Sequence, residues 1–155
     1  MAKTSIYAAY GSNMNLGQMA KRCPAAKVCG KGVLKGYRLT FRGLYRGVAN
    51  IEKKKGRSVP IVLWLITEEC EKELDRYEGY PLLYTKTSIK VHTDKEVVTA
   101  MAYVMTPKYS GTSAKSSESY FETIKEGYAD NNIDIEPLTE AYAECLKELG
   151  ETGSF

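Results

Sequence analysis

A glycine, a serine and an asparagine follow directly after the first apolar run of the chain. Residues 6–10 are apolar, Gly11, Ser12 and Asn13 come next, and residues 14–22 have the pattern of a short helix. A strand that passes through a glycine loop into a helix exposes backbone N–H groups near the positive end of the helix dipole. Such a loop favours a carboxylate or a phosphate, although the same residues also suit an ordinary strand-to-helix turn. The lysine and spacing of a Walker phosphate loop are absent.

A glutamate at the predicted end of a later helix is the second chemical candidate. Thr67 suits the N-cap of this helix, Glu68 and Glu69 its first turn, and Gly79 its end. Glu78 then lies at the negative end of the helix dipole, which raises the pKa of a carboxyl group, as burial also does. A glutamate tuned in this way can act as a general base near neutral pH. The alternative is a solvent-exposed glutamate that precedes a capping glycine.

Tyrosines are frequent near both features. The chain has 12 tyrosines, and those beside the two candidate segments are Tyr10, Tyr77, Tyr80, Tyr84 and Tyr120. A tyrosine supplies an apolar ring and one hydroxyl group, which suits the lining of a pocket for a small polar ligand. The same side chains also serve as ordinary packing residues in a core or on a surface.

The elements that must position these residues are strands in the first two thirds of the chain and helices in the last. Alternating or β-branched patterns predict strands at 6–10, 36–41, 48–51, 59–66, 85–91 and 97–105. Helical patterns cover 14–22, 67–79, 117–128 and 137–149. The basic run at 53–57 is expected to be a solvated loop, and 107–117 a mobile one. This order predicts an α+β fold with a mixed or antiparallel sheet, which a small barrel would satisfy.

Length and composition limit the classes of function. A chain of 155 residues with a net charge of +3 suits one domain, 1–155, and does not indicate a nucleic-acid partner. The longest apolar run, 61–66, is too short to cross a membrane. No signal peptide is evident, so a cytoplasmic location with reduced thiols is expected. The cysteines have no CxxC spacing and His92 is the only histidine, which gives little support to a metal site.

Three segments resemble the γ-glutamylcyclotransferase-like family, also called AIG2-like. They are YAAYGSN, ELDRYEGYPLLY and SSESYFETIKEGY, and they occur in the order typical of that family. The resemblance implies a small mixed β-barrel with flanking helices and no cofactor. It implies that Glu78 is the catalytic acid and base. The residues that it assigns to substrate binding are Tyr10, Gly11, Ser12, Asn13, Met14, Tyr84 and Tyr120.

The reaction that this resemblance implies is an intramolecular aminolysis. The α-amino group of a small γ-glutamyl substrate attacks its own γ-carbonyl group, so that 5-oxoproline forms and an amine or amino acid leaves. Two alternatives are a non-catalytic module that binds small carboxylates on the same fold, and a pathway enzyme that removes a γ-glutamyl protecting group. The sequence indicates neither the leaving amine nor the oligomeric state.

Overall fold

Five strands close into a barrel in which neighbours in space are mostly not neighbours in sequence. The computed structural model describes residues 3–150, and the strand order around its barrel is β1-β3-β2-β4-β5. The pairs are antiparallel except β1 with β5, which run parallel and meet at Tyr7 and Met101. The mixed barrel predicted for the fold is therefore confirmed. The strands are β1 (Thr4–Ala9), β2 (Lys27–Arg42), β3 (Val48–Thr67), β4 (Tyr84–His92) and β5 (Val97–Met105).

Helices flank the barrel, and three of them begin at a residue whose side chain caps the helix. Asn15, Thr67 and Ser117 each accept a hydrogen bond from a backbone N–H in the first turn that follows. Because Asn15 is a cap, the first helix begins later than predicted, and a 3₁₀ turn (Ser12–Met14) precedes it. The helices are α1 (Leu16–Arg22), α2 (Glu68–Glu78), α3 (Pro107–Ser110), α4 (Glu118–Asp130) and α5 (Glu136–Glu148).

The basic run at 53–57 is part of a strand, so the prediction of a loop was wrong. Strand β3 is continuous from Val48 to Thr67, and it pairs with β2 over Val48–Lys53 and Ser58–Leu65. Lys35 pairs with Ser58 and Tyr37 pairs with Lys53, so residues 54–57 bulge out of the ladder opposite a single residue of β2. Arg57, at the end of this bulge, forms ion pairs with glutamates of α5. The basic side chains of this run therefore lie on the surface of a bulged hairpin.

The segment 107–117, predicted as a mobile loop, begins with α3 and then docks against the β2–β3 connection. The N–H of Gly43 donates to the carbonyl of Thr112, and that of Gly47 to the carbonyl of Lys115. A Cβ atom at Gly47 would lie 1.8 Å from the Ala114 carbonyl oxygen, so only glycine allows this approach. Backbone contacts of this kind join distant parts of the chain, and local composition does not reveal them.

A buried ion-pair network fastens α5 to the barrel. Arg42 is almost fully buried, and its guanidinium donates to both carboxylate oxygens of Glu52, to Glu148 of α5 and to Ser113. The buried side chains of Cys145 and Leu138 pack the same helix against the core. Among the helices of the described segment, none has both the length and the apolar character needed to cross a bilayer.

Candidate active site

A cavity of about 410 Å³ opens where β1 enters the 3₁₀ turn. Its walls come from the end of β1, the C-terminus of α2, the start of β4 and the first turns of α4. Seven of the eight residues that the sequence nominated line this cavity together. They are Tyr10, Gly11, Ser12, Asn13, Glu78, Tyr84 and Tyr120.

The eighth nominated residue, Met14, does not reach the cavity. Its side chain is fully buried in the core, and its backbone N–H donates to the carbonyl of Gly11 at 3.0 Å. Both the side chain and the N–H of Met14 are therefore occupied within the fold. The 3₁₀ turn causes this placement, because it directs the third residue of the turn inward beneath the loop.

The loop is held from below and from the side by direct hydrogen bonds. Trp64 of β3 donates its indole N–H to the carbonyl oxygen of Asn13 at 2.9 Å. Asn131, which follows α4, donates to the carbonyl of Met14 at 2.9 Å, and Asn15 donates to the carbonyl of Thr123 at 2.9 Å. The backbone N–H groups at Ser12 and Asn13 have no acceptor among residues 3–150, as expected for the first turn of a helix.

Gly11 allows the loop to close against β3. A Cβ atom at this position would lie 3.1 Å from the Cβ of Ala49 and 3.6 Å from the hydroxyl of Tyr120. Contacts shorter than about 3.4 Å between carbon atoms are repulsive. The glycine of the loop therefore serves a close approach of two chain segments at the cavity wall.

Glu78 is the last residue of α2, and Gly79 ends the helix in the left-handed conformation with φ of 66°. The carboxyl group faces the cavity, where its Oε1 accepts a hydrogen bond from the Asn13 side chain at 3.4 Å. Burial raises the pKa of Glu78 from 4.5 to about 7, against the opposing effect of the positive charge on Arg22. A carboxyl group with such a pKa can accept and return a proton near neutral pH.

This raised pKa predicts a dependence of stability on pH. Between pH 4.5 and about 7 the folded protein retains a proton that the unfolded chain has released, so rising pH lowers the free energy of unfolding across that window. Above pH 7, we expect the charge on Glu78 to cost about 3 kcal/mol. Glu78→Gln should therefore stabilise the protein by about this amount at pH 8 and by much less at pH 4. Urea denaturation of both proteins at the two pH values measures the difference, and equal effects would contradict it.

The three nominated tyrosines use their hydroxyl groups differently. Tyr10 donates to the carbonyl of Tyr103 at 2.6 Å, and Tyr84 donates to the carbonyl of Ala49. These two hydroxyls are committed to the main chain, so their rings form the wall. The hydroxyl of Tyr120 instead accepts the N–H of Ala49 at 3.0 Å and retains its own hydrogen. Burial raises the pKa of Tyr120, so its hydroxyl stays protonated and can donate to a ligand.

Three further residues of the site, Tyr7, Arg22 and Arg46, were not singled out from the sequence, and Tyr77, one of the tyrosines noted there, also lines the cavity. The hydroxyl of Tyr7 accepts from Asn13 at 3.0 Å, and the hydroxyl of Tyr77 lies 2.9 Å from that of Ser12. Arg22 and Arg46 also line the cavity. For Arg22 a signal exists in the sequence, because Gln18 and Arg22 are four residues apart on one face of α1 and both line the cavity.

The charge of the cavity is asymmetric. Its lining contains one carboxyl group, that of Glu78, and two guanidinium groups, those of Arg22 and Arg46. This balance suits a ligand with negative charge. In the part of the chain that the structure describes, no three histidine, cysteine or acidic side chains cluster closely enough to hold a metal ion.

The closed barrel, the Gly-Ser-Asn loop and the partly buried Glu78 define a small barrel protein with one carboxyl group in a cationic, tyrosine-rich cavity. Residues 7–123 match the family described as gamma-glutamyl cyclotransferase, AIG2-like, and the chain belongs to this family. The matched segment includes the loop, Glu78 and Tyr120.

Individual relatives agree with this assignment along most of the chain. A mouse gamma-glutamylcyclotransferase is 29% identical over 157 residues, which cover 95% of this chain and 79% of the relative. A human gamma-glutamylcyclotransferase is 28% identical over 154 residues, which cover 93% of this chain and 78% of the relative. A solved gamma-glutamyl cyclotransferase superposes with a TM-score of 0.81 at 26% identity, covering 91% of this chain and 88% of its own.

Proposed function

We propose that this protein is a γ-glutamylcyclotransferase that converts a small γ-glutamyl substrate into 5-oxoproline and a free amine or amino acid. The observation that carries the proposal is the Glu78 carboxyl group, whose pKa burial raises to about 7, beside the loop residue Asn13 in a cavity. Family membership supports the same reaction class. The predicted cytoplasmic location stays a prediction.

Binding would place the charged end of the substrate at the loop. The backbone N–H groups of Ser12 and Asn13 are unpaired among the described residues, and both residues line the cavity. Together with the guanidinium group of Arg46, which also lines the cavity, they suit the α-carboxylate of a glutamyl group. The rings of Tyr10 and Tyr84 would then cover the aliphatic part of the glutamyl chain.

The chemical step begins with loss of a proton. The α-ammonium group of the substrate gives one proton to the Glu78 carboxylate, and the resulting amine attacks the γ-carbonyl carbon. A new C–N bond closes a five-membered ring, and the carbonyl oxygen takes the negative charge of the tetrahedral intermediate. The intermediate collapses when Glu78 returns the proton to the departing nitrogen and the original amide C–N bond breaks. The ring nitrogen, which still carries one proton too many, releases it to solvent, and the freed amine takes up a proton there to become an ammonium ion. General acid and base assistance of this kind contributes about 10²–10⁴-fold.

Geometry supplies a second contribution. An extended glutamyl chain must fold so that its amino nitrogen approaches its own carbonyl carbon, and a site that holds this conformer can contribute about 7–11 kcal/mol. The loop is suited to this task because Trp64 and Asn131 fix its main chain. The free hydroxyl hydrogen of Tyr120 is suited to stabilising the developing oxyanion.

The experiment that tests this proposal is an end-point assay for 5-oxoproline. Each member of a panel of γ-glutamyl amino acids, γ-glutamyl-ε-lysine and γ-glutamyl amines is incubated with the wild-type protein and, as a control, without it. We expect 5-oxoproline and the free amine in equal amounts from at least one substrate. Tight binding of these compounds without product would favour the non-catalytic carboxylate-binding module. Product only from a γ-glutamyl-protected amine would favour the removal of a protecting group.

A further inference from the structure

We propose that Arg22 is a positioning residue that orients the side-chain amide of Asn13 toward Glu78. The effect on catalysis rests on the proposed function, but the orientation itself does not. Arg22 is the last residue of α1, and it lies on the face of that helix that lines the cavity. It contacts both polar residues of the loop, one directly and one through a tyrosine.

The direct contact determines which end of the Asn13 amide faces the arginine. Nη1 of Arg22 donates a short hydrogen bond to Oδ1 of Asn13. Because a guanidinium group has donors and no acceptor, the amide oxygen must face it. The amide nitrogen then faces the other way, where its two hydrogens reach the Tyr7 hydroxyl at 3.0 Å and Oε1 of Glu78 at 3.4 Å.

The indirect contact holds the arginine in place. The guanidinium carbon of Arg22 lies 3.4 Å from the ring centroid of Tyr77, a stacked cation–π arrangement. The hydroxyl of Tyr77 lies 2.9 Å from that of Ser12. Trp64 fixes the main-chain carbonyl of Asn13, so the side-chain amide is the part of this residue that remains able to rotate. Arg22 thus removes the remaining freedom from Asn13.

Loss of Arg22 would raise the pKa of the Glu78 carboxyl group in two ways. It would remove the positive charge that lowers the pKa of this carboxyl. It would also allow the amide to turn and present its oxygen, which repels a carboxylate but accepts a hydrogen bond from a protonated carboxyl. Both changes favour the protonated form of Glu78.

Few other charged groups near Glu78 can contribute to a change in its pKa when Arg22 is replaced. Besides Glu78 and Arg22, the charged side chain that lines the cavity is Arg46. Burial raises the pKa of the phenols that face the carboxyl, so they remain neutral, and they are Tyr7, Tyr10, Tyr84, Tyr103 and Tyr120. Asp75, on the same helix, is bound by Lys86 and Tyr103.

The test measures the Glu78 carboxyl directly in the ligand-free protein. Carbon-13 NMR of glutamate-labelled protein follows its titration, with the signal assigned by its absence in Glu78→Gln. We expect Arg22→Met to move the midpoint to higher pH by about one pH unit. Arg22→Lys keeps the charge but loses the planar two-sided contact, so a smaller rise is expected. Lys21→Met removes a charge from the adjacent exposed position of α1 and should leave the midpoint unchanged.

The kinetic counterpart uses the pH profile of 5-oxoproline formation. In Arg22→Met the acid limb of kcat should move in the same direction as the NMR midpoint, with kcat at pH 6 falling by roughly tenfold and regained at higher pH. An unchanged NMR midpoint would overturn the proposal. A raised KM with an unchanged pH profile would also overturn it, because that result identifies a substrate-binding arginine.

Two outcomes separate this proposal from the function on which it draws. A shifted NMR midpoint in a protein that forms no 5-oxoproline would retain the positioning role and reject the cyclotransferase. If the wild type forms 5-oxoproline but neither Arg22 variant shifts the NMR midpoint, the cyclotransferase is retained and the positioning role is rejected. Thermal unfolding of each variant checks its integrity, and if Arg22→Met does not fold, the midpoint of Arg22→Lys decides.

Discussion

Glu78→Gln is expected to lower kcat for 5-oxoproline formation by roughly 10²–10⁴-fold while leaving KM within a few-fold of wild type. Glutamine has nearly the same shape and can still contact Asn13, which approaches Oε1 of Glu78 at 3.4 Å. What the substitution removes is the group that takes the proton from the substrate amine and returns it to the leaving nitrogen. Since this group acts in the transition state, its loss should appear in kcat.

Initial rates of both proteins across pH 5 to 9 measure the loss of kcat and its dependence on the ionisation of Glu78. For the wild type, kcat should rise as pH passes through about 7, because the carboxyl becomes ionised there. The residual activity of Glu78→Gln should lack this limb. Glu73→Gln is the matched control, since Glu73 lies on the same helix, is solvent-exposed and pairs with Arg76 at the surface. A fully active Glu78→Gln protein would reject Glu78 as the acid and base.

Gly127→Ala is expected to lower both stability and activity although residue 127 contacts no substrate. Gly127 lies in α4, where a Cβ atom would be 2.8 Å from the backbone nitrogen of Asn15 and 2.9 Å from the carbonyl carbon of Met14. Backbone atoms cannot move aside as a flexible side chain can, so α4 and the loop must separate. We expect a cost of about 2 kcal/mol despite the better helix propensity of alanine.

The separation should also displace the residues that contact the substrate. A shift of about 1 Å in a positioned group can reduce activity about 10²-fold, so kcat/KM should fall by at least tenfold. Urea denaturation and initial rates measure the two effects. Gly111→Ala is the control, because Gly111 has φ of −77° and a Cβ there meets only the Pro107 carbonyl at 3.9 Å. Wild-type stability and activity in Gly127→Ala would show that α4 does not set the position of the loop.

Local chemistry made much of the fold predictable. The caps at Thr67 and Ser117 and the left-handed glycine at 79 act within one helical turn, so the ends of α2 and the start of α4 follow from neighbouring residues. The apolar strand before Gly11 and the alternating pattern of β4 and β5 were equally local. These signals placed Glu78 at the end of a helix and the loop at the end of a strand, each on the correct element.

The errors occurred where pairing is not local. The run Lys53–Arg57 reads as a loop from its charge, but it lies within β3, because the residues on both sides of the 54–57 bulge, Lys53 and Ser58, pair with β2. Met14 reads as a loop residue, but a 3₁₀ turn directs it into the core. Arg22 has a helical position that sequence can identify, yet its role depends on Tyr77, which is 55 positions further along the chain.

By itself, the sequence determined which residue types were available for chemistry and on which local elements they lie. It identified the Gly-Ser-Asn loop, the glutamate before Gly79 and, through the resemblance of three segments, the family. Only the tertiary structure decided that Asn13 and Glu78, separated by 65 positions, meet in one cavity. It also decided that this glutamate is buried enough for its pKa to reach about 7. The physical reason is that helix caps and strand patterns are set by near neighbours, whereas desolvation and hydrogen-bond partners are set by every segment that packs around a group.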